Sequence, residues 1–337
     1  MRQWIIAKGA TSLDALSLRE VAQPQPGPGE VLVRVRACSL NYRDQAIPLG
    51  LYIGGPVAED IVPLSDGAGE IAALGAGVTG LAVGDRVAGT FFQDWIDGPP
   101  NPLVGAALGA SGAPGMLQDC VVLPARGVVP LPASLDYAES ACLPCAGVTA
   151  WNALMEGPRP LKAGDSVLVL GTGGVSLLAL QIAKAAGATV IATSSSDEKL
   201  ERVRALGADH TINYRTTPDW GAEAARLVGG GVDHVVEVGG AGTLAQSIQA
   251  VGFNGEIALI GVLTREGDTG PHGLMFKGAS IRGIFVGSKA MASRLAAFVD
   301  AHAIRPVIDR RFAMEDALSA WAYQASPDLF GKVVIEL

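Results

Sequence analysis

Histidine is nearly missing from this chain: four in 337 residues, and none among the first 200. A metal centre built on imidazole is therefore excluded from that stretch. Cysteine is as scarce, at positions 38, 120, 142 and 145. Four thiols in a chain this long make no disulfide framework, so reduced cysteines are expected. Aromatic residues make up only 5%, and the net charge of −8 comes with no basic stripe, which argues against a nucleic-acid surface. No apolar run is long enough to span a bilayer, and no leading apolar segment carries a small-residue cleavage site. The expectation is a cytoplasmic protein without membrane contact.

What is abundant is glycine, 44 residues, together with alanine, as suits closely packed βα units. The length allows two domains with separate cores. Through residue 130 the texture is β-rich. VLVRVRA (31–37) alternates apolar and charged residues as a half-buried strand does. Short strands follow at 67–74, 86–90 and 120–123 among Gly/Pro turns. From about residue 131 strands and helices alternate. A helix over 136–155, interrupted at Pro144, precedes strands at 166–170, 189–193, 210–213, 232–238 and 256–262. Helices at 198–206, 218–228 and 244–251 separate them, and 280–286 offers a sixth strand. This alternation specifies an α/β fold with a doubly wound parallel sheet. The tail reads helix (289–302), extended stretch (307–312), helix (314–324) and strand (332–336), a return to the first domain. The reading is one domain from 1–130 and 290–337, and a dinucleotide-binding domain over 131–289.

The segment SVLVLGTGGVSLLALQIAKAAGATVIATSSSDEK (166–199) says most about chemistry. A buried strand runs into Gly171, Gly173 and Gly174, and a helix starts at once. Gly171 permits the tight turn, and Gly173 lets the backbone approach a pyrophosphate. The N–H groups at the helix start, with Val175, face the phosphates. Ser176 replaces the usual third glycine. At the tip of the second strand an NAD site places a carboxylate, but this chain has Thr193, Ser194, Ser195 and Ser196, with Lys199 a turn further on. Hydroxyls and a lysine solvate an adenosine 2′-phosphate, where a carboxylate would repel it. Tyr214 and Arg215 flank the same end. NADPH is the expected cofactor, and NADH stays open, as does the reading of the serines as a helix cap.

Several further motifs complete a pattern: VRVRACSLNYRD (33–44), SDGAGEI (65–71), VGDRV (83–87), LPCAGVTAWNAL (143–154), ALGADHTINY (205–214) and FGKVVIEL (330–337). In this order they resemble the medium-chain dehydrogenase/reductase superfamily over essentially the whole chain. The resemblance implies a Rossmann domain inserted in a GroES-like β-rich catalytic domain, and a homodimer formed through the strand at 280–286. Members that use zinc hold it with two cysteines and a histidine. Here Asn41 stands at the first cysteine, Ser65 and Asp66 at a His-Glu pair, and only Cys145 falls on a ligand position. The structural-zinc cysteines are also missing, so no metal site is expected, and Cys142 and Cys145 read as small core residues. The chain is thus similar to the zinc-independent quinone oxidoreductases and alcohol dehydrogenase-like proteins.

That branch implies hydride transfer between a nicotinamide and a small molecule, a quinone or activated carbonyl. Metal-free alcohol oxidation and enone reduction are alternatives, and an NADPH-binding sensor without turnover is an alternative of another class. Asn41 and Tyr42 are the candidate polar groups at the reacting oxygen. Tyr52 and Ser65 are candidate substrate contacts, and so are Phe92 and Trp95 if the 90–116 segment is an aromatic-lined lid rather than surface decoration. Thr149, Gly171, Gly173, Gly174, Val175, Ser194, Ser195, Lys199 and Tyr214 are carried over as cofactor contacts. Val238 and Gly239, Gly261 and Val262, Phe285 and Val286, and Lys332 join them. Replacing Lys199 with alanine should weaken NADPH much more than NADH, measured as two dissociation constants. Equal losses would remove the 2′-phosphate assignment.

Overall fold

The computed structural model describes residues 1–337 except 262, 265, 268 and 269. It divides into an outer unit, Met1–Val148 with Gly287–Leu337, and an inserted unit, Thr149–Val286.

In the outer unit β1 (Arg2–Ile6) and β2 (Leu16–Glu20) form an antiparallel ribbon. There follow β3 (Glu30–Ser39), α1 (Tyr42–Ala46), β4 (Asp66–Leu74), β5 (Arg86–Gly89), β6 (Cys120–Pro124), β7 (Val128–Pro130) and α2 (Tyr137–Ala141). The alternation in β3 has its expected consequence: Val33, Val35 and Ala37 are buried while Arg34 points outward. Helix α3 (Val148–Met155) leads into the insert, where strands β8 (Ser166–Leu170), β9 (Thr189–Ser194), β10 (His210–Asn213), β11 (Val232–Glu237), β12 (Val251–Leu259) and β13 (Ser280–Gly283) occur. The intervening helices are α4 (Gly174–Ala185), α5 (Asp197–Ala205), α6 (Trp220–Leu227), α7 (Ala241–Ala250) and α8 (His272–Lys277). The tail supplies α9 (Lys289–His302), β14 (Ile308–Ala313), α10 (Ala317–Gln324) and β15 (Lys332–Glu336).

The insert is a six-stranded parallel sheet in the order β10-β9-β8-β11-β12-β13. All five residues of β8 are buried, as required of a central strand covered on both faces. The order reverses beside β8, which puts the ligand crevice at the carboxyl ends of β8 and its neighbours. The outer sheet runs β14-β15-β3-β4-β5-β7, with β6 also on β3. β15 pairs antiparallel with β3, and β14 lies parallel to β15, so the C-terminal segment completes the first sheet.

Two boundaries differ from the sequence reading. The outer unit extends to Val148 and resumes at Gly287, rather than 130 and 290. The reason is α2, which buries Ala138, Ala141 and Cys142 against Ala37, Ala68 and Val334 of the outer unit. The interruption read at Pro144 in the 136–155 helix takes the form of a π turn (Leu143–Gly147) between α2 and α3. Pro144 lacks the N–H that would continue an α ladder, and one wider turn absorbs the defect. Helix α8 has no counterpart in the sequence reading. It ends at Gly278, which takes the left-handed conformation at φ 59°, a glycine helix stop.

The outer core centres on Trp321 of α10, whose ring is fully buried. Its Nε1–H donates to the Asp44 carbonyl at 2.8 Å, tying α1 to the C-terminal return. Trp321→Phe keeps most of the apolar area but leaves that carbonyl short of a donor. It should cost about 1–3 kcal/mol, read as a lower urea midpoint at unchanged slope.

Candidate functional site

The inserted unit carries the glycine turn that the sequence places between β8 and α4. Gly171, at φ 70°, closes the turn after β8, and its N–H donates to the Thr193 carbonyl at 3.0 Å. Gly173 is the N-cap of α4, and a Cβ there would meet no atom within 4 Å. The space above the turn is thus open for a phosphate against the N–H groups of Gly174 and Val175. Ser176, in place of the third glycine, is buried, and its hydroxyl donates to the Leu170 carbonyl at 2.6 Å. That bond explains why a serine serves where close helix–strand packing usually demands glycine.

At the adenosine end Ser194 is buried and its Oγ accepts the Ser196 N–H at 3.2 Å. Ser196 in turn caps α5 by accepting the Lys199 N–H at 3.3 Å. Ser194 and Ser196 thus shape the turn and cap α5, while Ser195 stays half-exposed beside it. The Tyr214 N–H donates to the Ser194 carbonyl at 3.1 Å, and the Tyr214 side chain is exposed. Asp197 does not reach the strand tip as a ribose acceptor: its carboxylate takes the Asn213 amide at 2.7 Å.

Beyond β11, the Val238–Gly240 loop is held by Glu237, which the sequence reading missed. Its fully buried carboxylate accepts the Gly239 and Gly240 N–H groups at 2.7 and 3.0 Å and the Thr243 hydroxyl at 2.6 Å. The Ser247 hydroxyl donates to its other oxygen. An acid closing an apolar strand, VDHVVE, was the available signal. Gly261 lies against this loop, where a Cβ would come within 2.3 Å of the Val238 carbonyl carbon. Val262 lies outside the described residues. Thr149 is buried, and Phe285 is 52% exposed. Val286 takes a left-handed φ of 56°, and its carbonyl accepts the Asn152 amide at 2.7 Å.

The outer unit holds a buried polar cluster. Lys332, 3% exposed, donates to the Leu40 carbonyl and to Asn41 Oδ1, both at 2.6 Å. Lys332 was expected as a cofactor contact; its described bonds instead fix the chain before α1. An ammonium only donates, so Asn41 turns its oxygen to Lys332, while its side chain also acts on Asp66, favouring the ionised carboxylate. Asp44 Oδ2 accepts the Asn41 N–H at 2.8 Å. Ser65 Oγ–H donates to Asp66 at 2.8 Å, and the Cys145 N–H reaches the other oxygen at 3.2 Å. Ser65 is fully buried, so it orders Asp66 rather than presenting itself to a substrate. Tyr42, by contrast, is half-exposed.

Arg43 and Tyr52 complete the cluster. The guanidinium carbon sits 5.1 Å from the Tyr52 ring centre and 4.9 Å from that of Phe91. The expected aromatic lid is corrected: Phe92 and Trp95 are 4% and 3% exposed, packed 6.0 Å apart. Their segment is pinned where the Trp95 and Ile96 carbonyls accept the Lys289 and Ala290 N–H groups at 2.8 and 2.9 Å. Burial pushes Asp44 up to about 6, against the pull of Arg43. It also raises Asp66, opposed chiefly by Lys332. Cys142 is driven to about 12, and Cys145 likewise well above the thiol range, both by burial. These are neutral thiols.

Two family descriptions match the chain: an alcohol dehydrogenase GroES-like domain over residues 27–133 and a zinc-binding dehydrogenase over 174–301. A zinc-type alcohol dehydrogenase-like protein of Schizosaccharomyces pombe is 45% identical over 345 residues, 99% of each chain. An alcohol dehydrogenase-like chain from Sinorhizobium meliloti 1021 has a solved structure similar at TM-score 0.89 and 43% identity, covering all of both chains. A solved NAD-dependent alcohol dehydrogenase gives TM-score 0.87 at 33% identity, again over the whole of both. The chain belongs to the medium-chain dehydrogenase/reductase superfamily, a class of NAD(P)H-dependent oxidoreductases.

The second family description implies zinc, and the residues present do not fit it. A catalytic zinc takes three protein ligands. The cluster offers one neutral thiol, one carboxylate already engaged by Ser65 and Cys145, an amide, and an ammonium. Among the described residues no group of three or more His, Cys, Asp or Glu is arranged to hold a metal.

The raised Asp44 carboxyl gives a pH signature. A carboxyl whose folded value exceeds its unfolded one adds stability below about pH 4, and that contribution is lost as pH rises through about 6. Between pH 4 and pH 7 the stability of the wild type relative to Asp44→Asn should fall by roughly 2 kcal/mol. Urea titrations at the two pH values measure it; a constant difference would place Asp44 in the ordinary carboxyl range.

Proposed function

We propose that this protein is an NADPH-dependent reductase of quinones or activated carbonyl compounds that works without zinc. The observation that carries the cofactor assignment is the tip of β9. It offers Ser195 and the neighbouring Tyr214 and no carboxylate, because Asp197 is committed to Asn213. The observation that favours metal-free chemistry is the outer cluster, whose positive charge comes from Lys332 and Arg43.

The reduced nicotinamide, when bound, supplies the hydride. What the chain must supply is a donor for the oxygen on which negative charge develops. Asn41 suits that role, since Lys332 takes its amide oxygen and leaves Nδ2 as the donor. Tyr42, the next residue and half-exposed, is the companion donor. Cofactor contacts at Gly171–Val175, Thr149, Val238–Gly239, Gly261 and Phe285–Val286 belong to the same proposal. So does a homodimer paired along the 280–286 segment, where Ile281 of β13 and Phe285 just beyond it are 36% and 52% exposed.

A second reading, reversible alcohol oxidation, is favoured by the alcohol dehydrogenase names of the relatives. The discriminating assay is NADPH oxidation by chelator-treated protein with 9,10-phenanthrenequinone as acceptor. Turnover well above the slow background oxidation is the expected result. No turnover from protein that still binds NADPH would overturn the quinone assignment and shift it to alcohol or enone chemistry. No NADPH binding would overturn the cofactor assignment itself.

A further inference from the structure

A strained valine follows the last strand of the inserted sheet. Val286 sits at φ 56°, a left-handed conformation that a β-branched side chain resists and that glycine adopts freely. It lies just past the carboxyl end of β13, on the edge of the parallel sheet where ligands bind in such folds. The Ile284 N–H is pinned to the Leu259 carbonyl at 2.9 Å, and the Val286 carbonyl accepts the Asn152 amide at 2.7 Å. Chemistry fixes which way that amide faces. Arg282 Nη1 donates to Asn152 Oδ1 at 2.9 Å, and a guanidinium only donates, so Nδ2 must face Val286. Arg282 is itself held on several sides. Its Nε donates to the buried Glu256 carboxylate at 2.9 Å, and its Nη2 to the Asn152 and Glu156 carbonyls at 2.8 and 3.1 Å. Asn152 is buried, and Ala153 beside it packs against Ala258 and Ile284. A chain of polar contacts thus runs from β12 through β13 and α3 to one strained peptide unit.

We infer that Asn152 is a positioning residue for the cofactor: its amide holds Val286 left-handed, so that the backbone at 285–286 is set to receive the carboxamide of the nicotinamide. The inference rests on the NADPH reading above and adds the residue that shapes the nicotinamide end. A turn needed only for closure takes glycine, as at Gly171 and Gly278. A strained residue persists where its surroundings over-determine it, and such residues gather at ligand sites. Here Asn152, Arg282 and Glu256 do the determining. A trans peptide sets its carbonyl and N–H antiparallel. Drawing the Val286 carbonyl onto Asn152 therefore turns the N–H of the same peptide away from α3, as a donor fixed in direction. A carboxamide carries an acceptor oxygen and a donor nitrogen in one plane, which suits it to pair with ordered backbone. Without Asn152 that peptide is released to rotate, because a valine is more stable at negative φ.

The test separates the nicotinamide end from the rest of the cofactor. NADPH and 2′-phospho-ADP-ribose, which lacks the nicotinamide, are each titrated into the full chain by calorimetry, so no substrate is needed. The wild type should bind NADPH at least about tenfold more tightly. Asn152→Asp keeps an acceptor for Arg282 and loses the donor to Val286. It should weaken NADPH by about tenfold, the scale of one lost hydrogen bond, and 2′-phospho-ADP-ribose by less than about twofold. Parallel losses for the two ligands, or no loss for either, would make the role of Asn152 purely structural and overturn the inference. A wild type with no preference for NADPH would overturn it as well. A second comparison tests the strain itself and does not need Asn152→Asp to fold. Val286→Gly takes the left-handed turn without a side-chain penalty. In that background Asn152→Ala should weaken NADPH by no more than about twofold, against about tenfold in the wild-type background. Equal losses in the two backgrounds would overturn the link between Asn152 and Val286. A wild type that binds neither ligand would overturn the NADPH reading and the inference with it. One that binds both, with parallel losses in Asn152→Asp, would leave the NADPH reading standing while the inference falls.

Discussion

A lysine ammonium buried in the last strand organises the outer unit. Lys332 reaches across to the Leu40 carbonyl and Asn41 Oδ1, so the C-terminal strand and the start of α1 are joined by charge-assisted bonds in a place water does not reach. A buried cation needs compensation. Two carboxyls supply it, Asp44 and Asp66, each ordered by its own donors. Trp321 adds a second tie from the C-terminal return to α1, through the Asp44 carbonyl. Removing the return would therefore leave the NYRD segment without its anchors and the cluster without half its positive charge.

The same arrangement accounts for a superfamily member whose residues do not suit zinc. A metal ion supplies concentrated positive charge and a fixed geometry; here the charge is divided between an ammonium and a guanidinium, each with its own geometry. Within this arrangement, the Nε and Nη2 edge of Arg43 has no acceptor among the described residues. The thiols of Cys142 and Cys145, driven up by burial, take no part as charges. They fill space between α2 and the sheet, as small apolar residues do.

The inserted unit was legible almost element by element, because parallel sheets leave strong marks. β8 is five consecutive apolar or small residues, the glycine turn follows at once, and α4 repeats its apolar face. What escaped was local. β12 starts five residues earlier than the apolar run suggested, and α8 was hidden by a weak amphipathic pattern. Glu237 was passed over because a single acid at a strand end looks like an exposed residue until its four donors are counted. In the outer unit the aromatic segment misled. Phe92 and Trp95 amid glycine and proline left a lid and surface decoration equally open, yet both rings are packed inside, with the Trp95 and Ile96 carbonyls bonded to the start of α9.

Sequence alone determined the superfamily, the α/β fold class and the glycine turn between β8 and α4. Each follows from residue identity at short spacing, where backbone geometry leaves little freedom. Only the tertiary structure decided which polar residues share a buried space. Lys332 lies 291 positions from Asn41, and Leu108 lies 65 from Arg43. Nothing local in either segment says that they meet. Nor does sequence tell which protons are used up by the fold. Ser65 spends its hydroxyl on Asp66, while Arg43 keeps one edge free, and that balance is set by distances of a few ångströms between strands far apart in the chain.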